Sequence, residues 1–172
     1  MATVTLRPDS ASGTNFSPAD FLENINDGDP DTGATQVQTS AQMNGTFENS
    51  ADYSGATITQ VQMTVQASVT GKADACTIEC ILLDSDEQEV ATDNHEFSSA
   101  NEARAGTAVT SGLNSSYIDG LTFVLNPDSS GCIVKEVFIV VTYTVATPDP
   151  NPAYVLLNSG KYKITAGKVK IL

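Results

Sequence analysis

The chain has 172 residues, 40% hydrophobic and only 17% charged, and its 21 acids against eight Lys and Arg give a formal net charge of −13. That size suits one domain with an appendage, and a body of roughly 145 residues can bury a sizeable core without staples. The charge excludes nucleic acid and anionic membrane surfaces as partners, because too few cations remain to meet phosphates.

The dominant period along the chain is two, which marks half-buried strands. Thr3–Leu6 is a weak strand, and Ser17-Pro-Ala-Asp-Phe-Leu-Glu23 reads as a helical turn with Ser17 as N-cap and Pro18 at the first helical position. Ala34–Thr39 is a further weak strand. In Val61–Val69 every odd position is apolar and every even one polar, so Gln62 and Gln66 are expected to face water. Ala75–Leu83 places Cys76, Ile78, Cys80 and Leu82 on one face. Glu89–Phe97 is a weaker strand, followed by a second candidate helical turn at Ser98–Ala105. Ser116–Leu125 reads as a strand that aligns Leu121, Phe123 and Leu125. Ile133–Val145 is the longest and most apolar; Val137, Ile139, Val141, Tyr143 and Val145 line one face, and a central place in a sheet is expected.

Polar turns separate these runs at Asp52–Gly55, Thr70–Asp74, Asp84–Asp86 and Asn126–Gly131. Strands at this spacing predict an all-β fold, an antiparallel β-sandwich or jelly-roll-like body over residues 1–146. Its polar surface is built from Thr, Ser, Asn and Gln rather than long charged side chains.

Residues 147–153 form a Pro-rich hinge, and residues 154–172 form a basic arm. Lys161, Lys163, Lys168 and Lys170 are half of the chain's cations; residues 1–160 hold all 21 acids with four cations, a net −17 against +4. Gly160-Lys-Tyr-Lys-Ile recurs as Gly167-Lys-Val-Lys-Ile. Extended, Tyr162, Ile164, Val169 and Ile171 would share one face and the lysines the other, with a turn at Thr165-Ala-Gly167 closing a two-stranded β-ribbon. Such a ribbon is marginal alone. Tyr154 with these eight residues is therefore the expected partner-binding set, docking by strand addition.

Three cysteines are present. Cys76 and Cys80 would lie about 13 Å apart along one strand, too far for a disulfide. Buried thiols are expected, and a pairing of Cys132 with Cys76 or Cys80 stays open. The N-terminus shows no charged start followed by an apolar stretch, which leads to an expectation of synthesis and assembly in a cytoplasm.

Asp27-Gly-Asp-Pro-Asp-Thr-Gly33 carries carboxylates at alternate positions, the start of a calcium-type loop. Asp27, Asp29 and Asp31 are thus candidate metal ligands; calcium is the one cofactor suggested, although Gln38 stands where a bidentate Glu would be needed. Asp84–Glu89 reads as a solvated acidic turn. His95, the single histidine, lies in a polar stretch and reads as an exposed side chain. No nucleophile elbow, phosphate loop or dinucleotide fingerprint is present, so no enzymatic activity is expected.

One pattern spans residues 3–145. Thr5-Leu-Arg-Pro8 is followed by Asp29-Pro-Asp-Thr-Gly33, the strand Ala34–Thr39, Ile58-Thr-Gln-Val-Gln-Met-Thr-Val65, Leu121–Leu125 and Val141-Thr-Tyr143. In that order it resembles the small β-sandwich virion structural proteins of tailed bacteriophages. The resemblance implies a non-enzymatic virion protein, expected as a capsid decoration or cement subunit attached through its arm. Its implied partners are the major capsid protein, or another virion protein, and copies of itself as a homo-oligomer. The alternatives are a tail fibre or receptor-binding module and a calcium-dependent carbohydrate-binding module.

Overall fold

A computed structural model describes residues 1–18, 21–29, 31–36, 41–48, 56–70, 74–98, 100–129 and 131–145, and the backbone of 154–157, 160–165 and 168–171. The expected hinge lies outside the described residues.

The body is an antiparallel β-sandwich. The first sheet runs β3 (Phe16–Ser17), β4 (Ala34–Gln36), β11 (Cys132–Val145), β6 (Ala56–Val69) and β9 (Glu102–Ala105). In it β11 is central: β6 pairs along one edge, while β1 (Ala2–Leu6) and β4 follow one another along the other. The second sheet runs β2 (Pro8–Thr14), β5 (Gln42–Phe47), β10 (Thr122–Pro127), β7 (Cys76–Leu83) and β8 (Glu89–Phe97).

Period-two patterning explains how the two sheets meet. Val61, Met63, Val65, Ala67 and Val69 on β6 are buried, as are Val137, Ile139 and Val141 on β11. From the other sheet come Cys76, Ile78, Cys80 and Leu82 on β7, with Phe123 and Leu125 on β10. Phe47 and Phe123 meet with ring centroids 5.3 Å apart. A register shift between Val134 and Glu136 changes the phase of β11. It turns Glu136 inward while Val137 keeps its place in the core.

Two helices close gaps between strands. α1 (Leu22–Asn26) buries Ile25 and is preceded by Phe21, which packs on Phe16 at 5.6 Å. α2 (Ser115–Asp119) buries Ile118 and is capped by Asn114, whose side chain accepts the Tyr117 amide at 2.9 Å. Along one side Asp93 of β8 accepts hydrogen bonds from Thr107 N at 2.6 Å and Thr107 Oγ1 at 2.8 Å. Gly106 N donates to Met63 O at 2.9 Å, so this segment ties β8 of the second sheet to β6 of the first. Gln62 donates to Gly106 O at 2.6 Å and serves this seam instead of simply facing water.

Several local expectations are corrected. Ser17 and Pro18 do not begin a helix: Ser17 belongs to β3, the Ser17–Pro18 peptide is cis, and the helix starts at Leu22. Glu102–Ala105 is a strand rather than a helical turn, because the exposed edge of β6 offers it backbone partners. Residues 115–119 are helical, and the strand after them starts only at Thr122.

The cysteine expectation is resolved for one pair. Cys76 and Cys132 form a disulfide, with Cα atoms 5.9 Å apart and a sequence separation of 56. Both side chains point into the core from opposite sheets, which brings them within bridging reach. Cys80 stays a free, buried thiol. Its pKa is pushed up to about 12 by burial first, then by the nearby carboxylates of Asp93 and Glu79.

After the hinge, β12 (Tyr154–Leu157), β13 (Gly160–Thr165) and β14 (Lys168–Ile171) form a third antiparallel sheet. The arm is thus three-stranded rather than two-stranded. The register between β13 and β14 pairs Tyr162 with Ile171, Ile164 with Val169 and Lys163 with Lys170. Apolar positions therefore oppose apolar ones, and lysine opposes lysine.

Candidate functional site

The outer face of the second sheet is tiled with short polar side chains, because the inward positions of its strands have taken the apolar ones. Strand register sets them in rows. Ser10, Thr46, Thr122 and Leu83 make one row, and Ser12, Asn44, Val124 and Ile81 the next. A third holds Gln42, Asn126 and Glu79, linked by Gln42 Nε2 donating to Asn126 Oδ1 at 3.1 Å and Asn126 Nδ2 donating to Glu79 Oε2 at 2.8 Å.

The first row, with Ser12, Asn44 and Val124 of the second, floors a groove of about 790 Å3. Its hydroxyls and amide are oriented by their neighbours. Thr46 Oγ1 donates to Asp9 Oδ1, so Ser10 Oγ donates to Thr46 Oγ1 across 2.6 Å. Ser12 Oγ donates to Asn44 Oδ1 at 2.6 Å. Beside these polar atoms, Leu83 and Val124 are half-buried and supply an apolar strip.

One wall is the β7–β8 hairpin. Asp84 Oδ1 accepts the amides of Asp86 and Gln88, both at 2.9 Å, which holds the loop closed. Glu87 follows in a left-handed conformation with φ 59°, exposed on the groove wall. The C-terminal end of α2 leans on this hairpin: a Cβ at Gly120 would sit 2.7 Å from that of Ser85. Tyr117 belongs to the same corner. Its hydroxyl is held above the usual range by burial and then by the Asp84 carboxylate. At the floor, Gly45 permits the close approach of β2. A Cβ there would overlap the Ser10 carbonyl oxygen and lie 2.8 Å from the Phe123 ring.

Neutral donors and acceptors at fixed spacing, an apolar strip and an open groove suit a ligand with alternating hydroxyl and C–H surfaces. Ser10, Ser12, Asn44, Thr46 and Thr122 were not singled out in the sequence as a site. The available signal was the composition, with its surplus of Thr, Ser, Asn and Gln. It does not say which of them converge.

The acidic segment that begins at Asp27 carries side-chain-to-backbone hydrogen bonds. Asp27 Oδ1 accepts the Asp29 amide at 2.8 Å, and Asp29 Oδ1 accepts the Asp31 amide at 2.9 Å. Thr32 Oγ1 reaches Asp27 Oδ2 at 3.0 Å. Asp27 is held below the usual carboxylate range, chiefly by the Asp29 amide. Among the described residues no three metal-capable side chains converge. Asp27 and Asp29 thus cap the turn that follows them; the neighbouring Pro30 lies outside the described residues.

Behind that loop Glu136, 3% exposed, receives Arg7 Nη1 in an ion pair. Burial raises the Glu136 carboxyl above its ordinary value, the Arg7 charge opposes the rise, and the adjacent Asp27 carboxyl adds to it. Arg7 also sits over the Phe138 ring at 5.8 Å. His95 is not the exposed side chain expected. It is half-buried against Phe97, with ring centroids 6.3 Å apart, and its Nε2 is buried without a hydrogen-bond partner among the described residues. The expected partner-binding residues Tyr154, Lys161, Tyr162, Lys163, Ile164, Lys168, Val169, Lys170 and Ile171 fall in β12–β14, where only the backbone is described.

No protein-family model matches the chain, and no curated protein sequence does. Among solved structures it is similar to the C-terminal CBM6 of LamC, a marine laminarinase from Zobellia galactanivorans. Identity there is 13% and the TM-score 0.48, over 82% of this chain and 99% of that one. It is also similar to the CBM32 of AlyQ in complex with 4,5-unsaturated mannuronic acid, at 13% identity and TM-score 0.47, over 79% and 97% of the two chains. A third is the GH26-CBM35 β-(1,4)-mannanase of Podospora anserina, at 14% identity and TM-score 0.47, over 88% of this chain and 30% of that one. The likeness is one of β-sandwich architecture. It corrects the expected capsid decoration subunit: these neighbours are carbohydrate-binding modules or enzymes that carry one, and none of them is a virion protein.

Proposed function

We propose that this chain is a non-catalytic carbohydrate-binding domain whose glycan lies in the groove on the second sheet. One observation carries the proposal. Ser10, Ser12, Asn44, Thr46 and Thr122 set neutral hydrogen-bonding groups in register beside the apolar strip of Leu83 and Val124. Adjacent strands lie about 4.8 Å apart, so neighbouring hydroxyls are spaced on the scale of a sugar ring. Pyranose hydroxyls would meet the polar rows, and the ring's C–H face would cover the apolar strip. The disulfide between the sheets supports maturation in an oxidising compartment.

Affinity electrophoresis on soluble polysaccharides tests this. Wild type should be retarded by at least one of them. Asn44→Ala combined with Thr122→Ala should lose about ten-fold in affinity with an unchanged circular dichroism spectrum. Failure to bind any polysaccharide across a broad panel would refute the assignment. Chelator should leave binding unchanged, since Asp27 and Asp29 already serve backbone amides.

A further inference from the structure

We infer that the groove selects an uncharged glycan and rejects anionic ones, an assignment that rests on the groove being the carbohydrate site. The floor carries no formal charge. The wall carries Asp84 and Glu87, both lining the groove, and among the described residues no Lys, Arg or His lines it. Asp86 and Glu89 stand on the same hairpin and extend the negative field past the rim.

Cations that could offset this field are committed elsewhere among the described residues. Arg7 pairs with Glu136, Arg104 pairs with Glu102, and Lys135 donates to the Asp31 carbonyl at 3.2 Å. A uronic acid or sulfated sugar entering the groove would therefore place its charge near carboxylates with no counter-charge among the described lining residues. That repulsion acts through water at short range and weakens with salt.

For a neutral sugar the same wall is useful. A carboxylate is an acceptor with two oxygens and can take hydrogen bonds from a pair of neighbouring hydroxyls, stronger than neutral contacts of the same geometry. Glu87 is placed for this by the hairpin: its left-handed backbone keeps it on the wall rather than along the β8 ladder. Asp84 has one carboxylate oxygen engaged by two loop amides, which makes it a holder of the wall's shape. Glu87 is the specificity residue in this scheme.

The test is a binding series on the full chain with neutral polysaccharides (a mixed-linkage β-glucan, xylan, galactomannan), anionic ones (alginate, polygalacturonate) and cationic chitosan. It is run at about 0.02 M and about 0.5 M salt. Expected are binding to a neutral polymer with less than two-fold salt dependence, and at least ten-fold weaker binding to the anionic polymers at low salt. Glu87→Gln should weaken the neutral ligand several-fold and narrow the gap to the anionic ones, with the thermal melting curve unchanged. Preferential binding of alginate or polygalacturonate overturns the charge assignment while leaving a carbohydrate-binding role intact. So does binding to chitosan alone, or a Glu87→Gln variant with the wild-type profile. Binding to no polymer at either salt overturns the glycan site itself.

Discussion

The Cys76–Cys132 bridge gives the most quantitative forecast. It closes a loop of 56 residues that contains most of β7, all of β8, β9, α2 and β10, and the groove wall. In the chain-entropy treatment, closing a loop of that length removes about 14 cal/mol/K from the unfolded ensemble, or about 4 kcal/mol at 25 °C. Reduction leaves both thiols in the core, so little packing is lost and the closure effect dominates. With a urea dependence of about 2 kcal/mol/M, the unfolding midpoint should drop by about 2 M on reduction. Urea titrations of the oxidised and reduced protein, followed by tyrosine fluorescence, measure this directly. An unchanged midpoint, once mass spectrometry has confirmed loss of the bridge, would refute the closure argument. Three alkylatable thiols in the denatured, unreduced protein would refute the pairing.

Other perturbations reach different parts of the structure. Gly45→Ala should cost several kcal/mol and abolish glycan retention, since the new Cβ overlaps the Ser10 carbonyl and displaces β2 from the floor; a wild-type melting temperature would contradict this. Ile139→Ala, in the fully buried centre of β11, should cost roughly 2–5 kcal/mol in chemical denaturation. Asn114→Ala should cost about 0.5–2 kcal/mol by removing the α2 cap, and should loosen the hairpin wall enough to lower affinity in titration calorimetry. Glu136 has a folded pKa above its unfolded value, so its contribution is fully present below the unfolded value and is lost as pH rises through the folded one. Asp27, with a depressed pKa, contributes above its unfolded value and loses that contribution as pH falls. The stability advantage of wild type over Glu136→Gln should accordingly shrink between pH 4 and pH 7; an advantage that grows over that range would reverse the assignment.

How far the sequence discloses the molecule depends on which force dominates at each segment. β6, β7 and β11 are legible because a clean period of two reflects one buried face, and β11 was placed correctly at the centre of its sheet. β2 and β5 were missed. Pro8-Asp-Ser-Ala-Ser-Gly-Thr14 and Gln42-Met-Asn-Gly-Thr-Phe47 carry few β-branched residues, and each has a glycine inside. What makes them strands is pairing with β10 and with each other, a long-range effect that propensity does not encode. Glu102-Ala-Arg-Ala105 has helix-forming composition and was overridden in the same way by β6. The groove shared this fate: two of its four floor strands were unread, so residues 32 or more positions apart in sequence could not be seen to converge.

The odd cysteine count has a consequence for how the chain matures. Three thiols in an unfolded chain allow three single-bridge isomers, and only one is native. Cys80 is the source of both errors. Once β7 is zipped between β8 and β10, Cys80 is sealed in the interior and burial pushes its pKa up to about 12, so at neutral pH it is held as the unreactive thiol. Isomer choice is therefore made before that sheet closes and is frozen afterwards without help from an isomerase. Completion of a sheet doubles as the step that ends covalent rearrangement, and any variant that frays β8 should accumulate scrambled chains during oxidation rather than lose stability alone.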